Sequence, residues 1–190
     1  MQFMKKTIIL FLFSMFCMIV QGQTHMKFMG IPLNGSVEMF TQKLKTKGVI
    51  CNVEKSKLAP SGVKICDGPF MGQNSEFMVF FNTKDRNVYS VLVTMEYSSL
   101  DLVYVMFERI SNQLKEKYPN AVVGVMDDSD GAPEGLKFSI PDERETKVLG
   151  FIFQKLVKPD GYLTNKYGIS LLYSDVANFQ KSEDRNNEDL

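Results

Sequence analysis

The residue types that carry most enzyme chemistry are scarce in this chain. Tryptophan is absent, histidine occurs once, at His25, and cysteine occurs three times. His25 lies near the N-terminus, where a general base is difficult to hold within hydrogen-bond reach of a proton. The chain has no other histidine that could serve in a Ser-His-Asp or Cys-His arrangement, and its remaining ligand types cannot make up a structural zinc site. We therefore expect no catalytic residue, no metal ion and no cofactor.

The chain also has no net charge. The 22 basic side chains balance 22 acidic ones and the pI is about 6.6, whereas a nucleic-acid-binding protein normally carries a basic excess. We therefore expect no nucleic-acid partner. A hydrophobic content of 44% with 23% charged residues is ordinary for a folded protein, and 190 residues predict one domain or two small ones.

The N-terminus has the pattern of a secretory signal peptide. Lys5 and Lys6 precede the uncharged segment 7–20, and Gln21-Gly22-Gln23 follows it. A membrane-spanning helix needs about 20 apolar residues, so this segment is too short to serve as an anchor. We predict a signal peptide at 1–22 with cleavage near Gly22. The chain would then be exported, either periplasmic or extracellular, with no transmembrane segment after the leader is removed.

The three cysteines divide between the leader and the rest of the chain. Cys17 as a lipid-bearing first residue is a minor alternative, because bulky Phe16 precedes it and more of the apolar segment follows. Removal of the leader leaves Cys51 and Cys66, and an even pair in an oxidising compartment predicts a disulfide. Two buried thiols are the alternative. Closing a loop of about 15 residues would stabilise the fold by roughly 3 kcal/mol.

Two segments have the apolar spacing of amphipathic helices. The first, 36–47, begins at Ser36, which can cap a helix, and ends before Gly48, which can adopt a left-handed C-terminal cap. The second begins at Ser98 or Ser99 and ends before Pro119. Its apolar stripe consists of Val103, Phe107, Ile110 and Leu114.

Apolar runs around these helices predict strands. The first strand is either 49–54 or 63–66, with a turn at 60–62 between them. The polar segment 82–87 predicts a hairpin connection, and the run from Lys55 to Lys57 is interpreted as a solvated turn. The remaining predicted strands are 76–81, 89–97, 121–126, 136–140, 147–156 and 168–173.

The order of these elements indicates an internal repeat. Ser36 and Ser99, at the two helix starts, are 63 residues apart, and two corresponding strands are similarly spaced. We therefore predict an α+β protein of two similar α-β-β-β units, 23–97 and 98–181, with both helices packed on one face of an antiparallel sheet. Residues 182–190, which include four acids and one base, predict a flexible acidic tail.

Two stretches carry a resemblance to known proteins. The first is Phe28-Met-Gly-Ile-Pro-Leu-Asn-Gly35, which continues through Phe40, Leu44 and Lys47-Gly48, and the second is Gly68-Pro-Phe-Met-Gly72. With them the chain resembles small exported proteins of unknown function from Bacteroidetes. Its tandem helix-plus-three-strand plan, over about residues 30–175, is similar to that of beta-lactamase inhibitor proteins and of the SmpA/OmlA envelope-assembly group. This similarity of topology implies a fold and carries over no partner-binding residue.

Acidic residues offer two further hypotheses. The acids of 127–131 allow a calcium loop, but an EF-hand frame would place Met126 first and Lys137 twelfth, so a solvated turn is the simpler interpretation. A carboxylate-dependent hydrolase needs a pair of acids whose environments separate their pKa values, and no pair has an apolar setting of that kind. The acids concerned are Glu134, Asp142, Glu143 and Glu145.

The function predicted from these patterns is binding. Most aromatic side chains belong to the core, and a minority on the uncovered sheet face would form a binding surface. Tyr104 lies off the apolar stripe of the second helix, so we expect it to be exposed. The aromatics considered are Phe70, Phe80, Phe81, Tyr89, Tyr97, Tyr104, Tyr162, Tyr167 and Tyr173. We expect a non-enzymatic periplasmic or secreted interaction module whose partner is a protein or a cell-envelope ligand. The alternatives are an inhibitor of a secreted hydrolase and, third, a small carboxylate-dependent hydrolase.

Overall fold

The computed structural model of this protein describes residues 25–119, 122–127, 133–139, 146–153, 156–157, 163–164 and 167–187. Within these residues the chain forms four helices and twelve strands. The helices are α1 (Val37–Lys45), α2 (Val53–Leu58), α3 (Leu100–Lys117) and α4 (Val176–Asn187). The strands are β1 (Lys27–Phe28), β2 (Ile31–Pro32), β3 (Ile50–Cys51), β4 (Val63–Phe70), β5 (Gln73–Phe81), β6 (Val88–Tyr97), β7 (Val122–Asp127), β8 (Pro133–Ser139), β9 (Thr146–Phe153), β10 (Leu156–Val157), β11 (Leu163–Thr164) and β12 (Tyr167–Asp175).

Eight of these strands form one antiparallel sheet in the order β3-β4-β5-β6-β12-β9-β8-β7. β6 and β12 lie at its centre, so each half of the chain supplies four neighbouring strands. The pairs β1–β2 and β10–β11 form separate hairpins. Helices combined with an antiparallel sheet confirm the predicted α+β class, and each predicted strand overlaps an observed one. The repeat of two α-β-β-β units stays a prediction.

Both predicted helices are confirmed, and local side chains define where they begin and end. The hydroxyls of Ser36 and Ser99 each accept a hydrogen bond from the backbone N–H group three residues later. Gly48 has a φ angle of +83°, the predicted left-handed conformation after the first helix. α3 ends at Lys117, two residues before Pro119.

Both segments considered for the first strand contain one: β3 lies within 49–54, and β4 includes 63–66. Residues 53–58 between them form α2, because the Asn52 side-chain oxygen accepts a hydrogen bond from the Lys55 backbone N–H group at 3.0 Å and caps a helix there. The interpretation of Lys55–Lys57 as a turn is therefore wrong. The hairpin connection at 82–87 is confirmed, since β5 and β6 are antiparallel neighbours on either side of it.

The sequence Phe-Met-Gly occurs twice, and both copies form the turn of a hairpin. Met29–Gly30 joins β1 to β2, and Met71–Gly72 joins β4 to β5. All four residues have φ angles between 50° and 80°, as a two-residue type I′ turn requires. Nearby, a Cβ atom on Gly68 would lie 2.7 Å from the Cα atom of Val49, so only glycine fits at this position without movement of the backbone.

A hydrophobic core lies between the sheet and the helices α1 and α3. Alternate residues of the central strands face it, among them Phe77, Val93 and Leu171, which are register neighbours on β5, β6 and β12. The helices contribute Val37, Phe40 and Leu44 from α1 and Val103, Met106, Phe107, Ile110 and Leu114 from α3. Both predicted helices, α1 and α3, therefore pack on one face of the sheet. We call the opposite face the open face.

The C-terminal helix differs from the prediction. Residues 182–187 belong to α4, so the flexible tail expected from residue 182 does not begin there. Ser182 is buried, and its hydroxyl accepts a hydrogen bond from the side-chain amide of Asn82 at 3.2 Å. The ring of Phe179 meets the ring of Tyr89 edge-on. These contacts hold α4 against the end of the sheet, whereas its low apolar content had suggested a loose segment.

Several predicted features lie outside the described residues. They are the leader with its cleavage site, the calcium loop at 128–131, the acids Asp142, Glu143 and Glu145, the aromatic Tyr162, and 188–190 of the tail. Glu134, one of the acids considered for a hydrolase, belongs to β8. In the part of the chain that the structure covers, no helix has the length and apolar character to cross a membrane.

Candidate functional site

A disulfide joins Cys51 to Cys66, as predicted. The two cysteines are opposite each other in the register of β3 and β4, so the bond links neighbouring strands. The loop that it closes contains all of α2 and the turn at 60–62. The disulfide therefore holds α2 at the edge of the sheet.

Hydrogen bonds also fix α2 against β4. The Ser56 hydroxyl accepts a hydrogen bond from the backbone N–H group of Ile65 at 3.0 Å, and the Asn52 N–H group donates to the Ile65 carbonyl oxygen at 2.8 Å. These contacts satisfy edge groups of β4 where β3 no longer pairs with it. Lys55, which precedes Ser56, thereby reaches over β4 to the open face.

The Lys55 side chain forms ion pairs with two carboxylates on the open face. Its Nζ atom lies 2.8 Å from Asp67 Oδ1 and 2.8 Å from Glu76 Oε2, and these two acids are opposite each other on β4 and β5. The hydrogen bonds to Asp67 and Glu76 raise the pKa of Lys55 to about 12, so its ammonium group is charged at neutral pH. We call these three residues the ion-pair cluster. One positive and two negative charges give it a net charge of −1.

The ion-pair cluster lies in a groove of about 490 Å³. Thr94 and Ser170 continue the row of Glu76 across β6 and β12, and their hydroxyl oxygens are 3.1 Å apart. A row of polar side chains therefore crosses four neighbouring strands. The residues that line this polar groove are Lys55, Asp67, Asn74, Ser75, Glu76, Met78, Thr94, Glu96 and Ser170.

A second groove, of about 370 Å³, is formed by the end of α2 with β4 and β5. Apart from Lys55 and Glu76, its lining is apolar. The residues that line this apolar groove are Lys55, Leu58, Ala59, Pro60, Val63, Ile65, Glu76, Met78 and Phe80. Lys55, Glu76 and Met78 line both grooves, so the grooves meet at the ion-pair cluster.

Apolar side chains around α2 are unusually accessible. Ile50, Val53 and Leu58 have exposed fractions of 61%, 65% and 89%, and α2 buries none of its six residues. Apolar groups that are exposed together mark surfaces that contact another molecule more often than single exposed ones do. The exposed apolar side chains of Ile50, Val53 and Leu58 therefore form a candidate contact surface beside the apolar groove.

His25 is held in place, in contrast to the expectation of a mobile terminus. Its Nδ1 atom lies 2.9 Å from Oδ2 of the buried Asp175 carboxylate, which also accepts hydrogen bonds from the backbone N–H groups of Met26 and Asn178 at 3.1 Å each. The Asn178 side-chain amide donates to the carbonyl oxygen of Leu33 at 2.7 Å. This network ties the N-terminal segment to the start of α4. It is separate from both grooves.

Metal-ligating side chains are not grouped in the part of the chain that the structure describes. No three His, Cys, Asp or Glu residues there lie close enough together to hold an ion. The cysteines are joined to each other, and His25 is directed to Asp175.

Most of the aromatic side chains considered from the sequence are buried or half-buried among the described residues. Phe80 lines the apolar groove, and Tyr104 is exposed on α3, on the other side of the sheet. Tyr89 and Tyr167 are half-buried. The buried aromatics are Phe70, Phe81, Tyr97 and Tyr173.

The ion-pair cluster was missed from the sequence. Lys55 is 12 residues from Asp67 and 21 from Glu76, and only the position of α2 and the register of β4 with β5 bring the three together. The available signal was Asn52, a helix-capping residue directly before a short segment of good helix formers.

No protein-family model, curated protein or solved structure matches this chain in the corresponding comparisons. The similarity to beta-lactamase inhibitor proteins and the SmpA/OmlA group stays a prediction.

Proposed function

We propose that this protein is an exported, non-enzymatic binding module that holds a protein or cell-envelope ligand at the two grooves of the open face. The observation that carries the proposal is the junction of the apolar groove with the polar groove at the ion-pair cluster. Ligand sites typically combine an apolar lining with a few polar groups that fix the orientation of the ligand. The paired grooves have this composition.

The two grooves contribute different terms to binding. Burial of one Leu, Met or Phe side chain stabilises a complex by about 1.5–3 kcal/mol, and the apolar groove offers Leu58, Met78 and Phe80 as contacts. Charged and hydroxyl groups in the polar groove add orientation and selectivity more than affinity. A ligand with both characters would use both grooves.

The disulfide supports the exported location. Disulfide bonds form and persist in oxidising compartments, and the predicted leader at 1–22 would deliver the chain to such a compartment. The bond also stabilises the groove wall, because it closes the loop that carries α2. An exported module would therefore keep its grooves formed where it acts.

A matched pair of variants tests the proposal. Leu58→Glu places a charge at the rim of the apolar groove, and Val105→Glu makes the same kind of change at an exposed apolar position of α3, on the other side of the sheet. Neither side chain is buried, so both variants should fold. We expect the wild-type chain and Val105→Glu, purified with the disulfide intact, to capture the same partner from cell-envelope extract and Leu58→Glu to lose it.

Quantitative mass spectrometry of the captured material measures this difference, and a melting shift of the purified protein with that partner checks it. Equal capture by all three proteins would show that the grooves are not the binding surface. The absence of any partner that also shifts the melting temperature would count against a binding module altogether.

A further inference from the structure

We propose that the grooves bind an extended peptide segment in which a basic residue and an apolar residue are two positions apart. The basic side chain would pair with Asp67 and Glu76, and the apolar side chain would enter the apolar groove. This inference rests on the proposed function and specifies its ligand. Such a segment belongs to a polypeptide partner and not to a lipid or a sugar.

The charge of the ion-pair cluster favours a cation. Lys55 neutralises one of the two carboxylates, so a net charge of −1 remains. Lys55 occupies Asp67 Oδ1 and Glu76 Oε2, and within the described residues the second oxygen of each carboxylate accepts no hydrogen bond. Two neighbouring carboxylate oxygens suit the several N–H donors of a guanidinium or ammonium group.

The geometry of β5 sets the spacing of the ligand. Glu76 and Met78 are two residues apart on the same face of β5, which corresponds to about 6.6 Å along an extended chain. Side chains two apart in an extended peptide have the same separation. A basic residue opposite Glu76 therefore places the residue two positions away opposite Met78, where the apolar groove opens.

The ion-pair cluster is exposed enough for a basic side chain of the ligand to reach its two carboxylates. The side chains of Lys55, Asp67 and Glu76 are each between 37% and 46% exposed. Surface ion pairs of this kind contribute little to folding stability, so an incoming cation can share the carboxylates without disrupting the fold.

The test uses a phage-displayed library of random linear peptides as the probe. The oxidised full chain is panned against the library, and peptides that also bind Leu58→Glu are discarded, so the remaining peptides depend on the apolar groove. We expect them to contain Arg or Lys two positions from an apolar residue. Their affinity should fall as the sodium chloride concentration rises, because salt screens exposed charges.

Charge variants of the protein then distinguish a basic ligand from an acidic one, because each variant should change the affinities for the two in opposite directions. Lys55→Gln changes the cluster from −1 to −2 and should raise the affinity for the selected peptides by about two- to fivefold, whereas Glu76→Gln should lower it by about the same factor. Glu116→Gln, on an exposed position of α3, makes the same chemical change as Glu76→Gln at a distance from the grooves and should leave the affinity unchanged.

The possible failures are distinguishable. Groove-dependent peptides that are acidic or uncharged, or that lose affinity with Lys55→Gln, would overturn the basic-residue ligand and leave the proposed function standing. If every peptide recovered by panning binds Leu58→Glu as well as wild type, the peptide ligand is overturned. The proposed function itself fails only if Leu58→Glu also keeps the partner that the wild-type chain captures from cell-envelope extract. Circular dichroism of each variant establishes that an affinity change does not come from unfolding.

Discussion

The ring of Phe28 stacks on the ring of Phe70, with a centroid distance of 5.6 Å and an angle of 16° between the planes. Each phenylalanine directly precedes a Met-Gly turn, so the stack joins the N-terminal hairpin to the β4–β5 hairpin. Phe28 also meets Phe77 and Tyr173 edge-on and is completely buried. The β1–β2 hairpin is therefore part of the core.

The first prediction concerns this stack. Phe28→Ala should lower the free energy of unfolding by about 3–5 kcal/mol, because it removes a buried ring and leaves a cavity among aromatic neighbours. Urea denaturation followed by circular dichroism measures the change, since the chain has no tryptophan for fluorescence. Phe28→Leu, which keeps part of the volume, should cost clearly less. A loss below about 1 kcal/mol for Phe28→Ala would contradict the packing of this hairpin on the core.

The second prediction concerns the network around Asp175. Asp175→Ala should lower the free energy of unfolding by about 3 kcal/mol, because the N–H groups of Met26 and Asn178 lose a charged acceptor and α4 loses its N-cap. Asp175→Asn keeps an acceptor oxygen and a good capping residue, so it should cost about 1 kcal/mol. Urea midpoints of the two variants give the comparison. Midpoints of both variants equal to that of the wild type would show that the Asp175 carboxylate does not tie His25 and Met26 to α4.

The third prediction concerns the disulfide between Cys51 and Cys66. Reduction should lower the free energy of unfolding by about 3 kcal/mol, because the unfolded chain regains the entropy of the closed loop, which has a sequence separation of 15. Urea denaturation with and without a phosphine reductant measures the difference. The double variant Cys51→Ser/Cys66→Ser is the control and should not respond to reductant. A wild-type midpoint that reductant leaves unchanged would argue against the bond.

The fourth prediction concerns alkaline pH. Burial raises the pKa of the Tyr173 hydroxyl above its ordinary value of 10.0. Since the folded state favours the neutral hydroxyl, its contribution to stability is constant below that ordinary value and falls as the pH rises above it, by up to about 1.4 kcal/mol per pH unit.

Urea midpoints measured below and above pH 10.0 should therefore fall less steeply for Tyr173→Phe than for wild type. Tyr104→Phe, which alters an exposed ring on α3, should follow the wild-type slope. Identical slopes for wild type and Tyr173→Phe would mean that the Tyr173 hydroxyl does not resist ionisation in the folded state.

The fifth prediction concerns the leader. Expression in a bacterium with an export pathway should yield a chain whose first residue is Gln23, because cleavage after Gly22 follows the apolar segment. Intact-mass spectrometry and N-terminal sequencing of the periplasmic or secreted protein check the site. Substitution of Lys5 and Lys6 by Glu should reduce export, since the basic residues are part of the signal. A full-length chain that keeps Met1 and carries no disulfide would contradict the prediction.

Local patterns were sufficient for much of the secondary structure. Ser36 and Ser99 cap helices where the sequence indicated, and the helices between the strands have the predicted apolar stripes. The Cys51–Cys66 bond followed from the number of cysteines left after the leader. These features depend on residues close in sequence or on composition, so a single sequence contains the relevant information.

Short and weakly apolar elements were not predictable in the same way. α2 has six residues, too few to show a helical period, and its start depends on one capping side chain, Asn52. α4 has little apolar character, and its contacts, such as Asn82 with Ser182, join residues 100 positions apart. Tertiary contacts decided both.

The sequence by itself determined the α+β class, the helices α1 and α3, the cysteine pair and the charge balance that led to the expectation of no nucleic-acid partner. Only the tertiary structure decided that Lys55, Asp67 and Glu76 meet at the junction of two grooves and that His25 is held by Asp175. The physical reason is that strand register and helix placement set the distances between residues far apart in the chain. Periodicity and capping patterns report only on neighbours a few positions away.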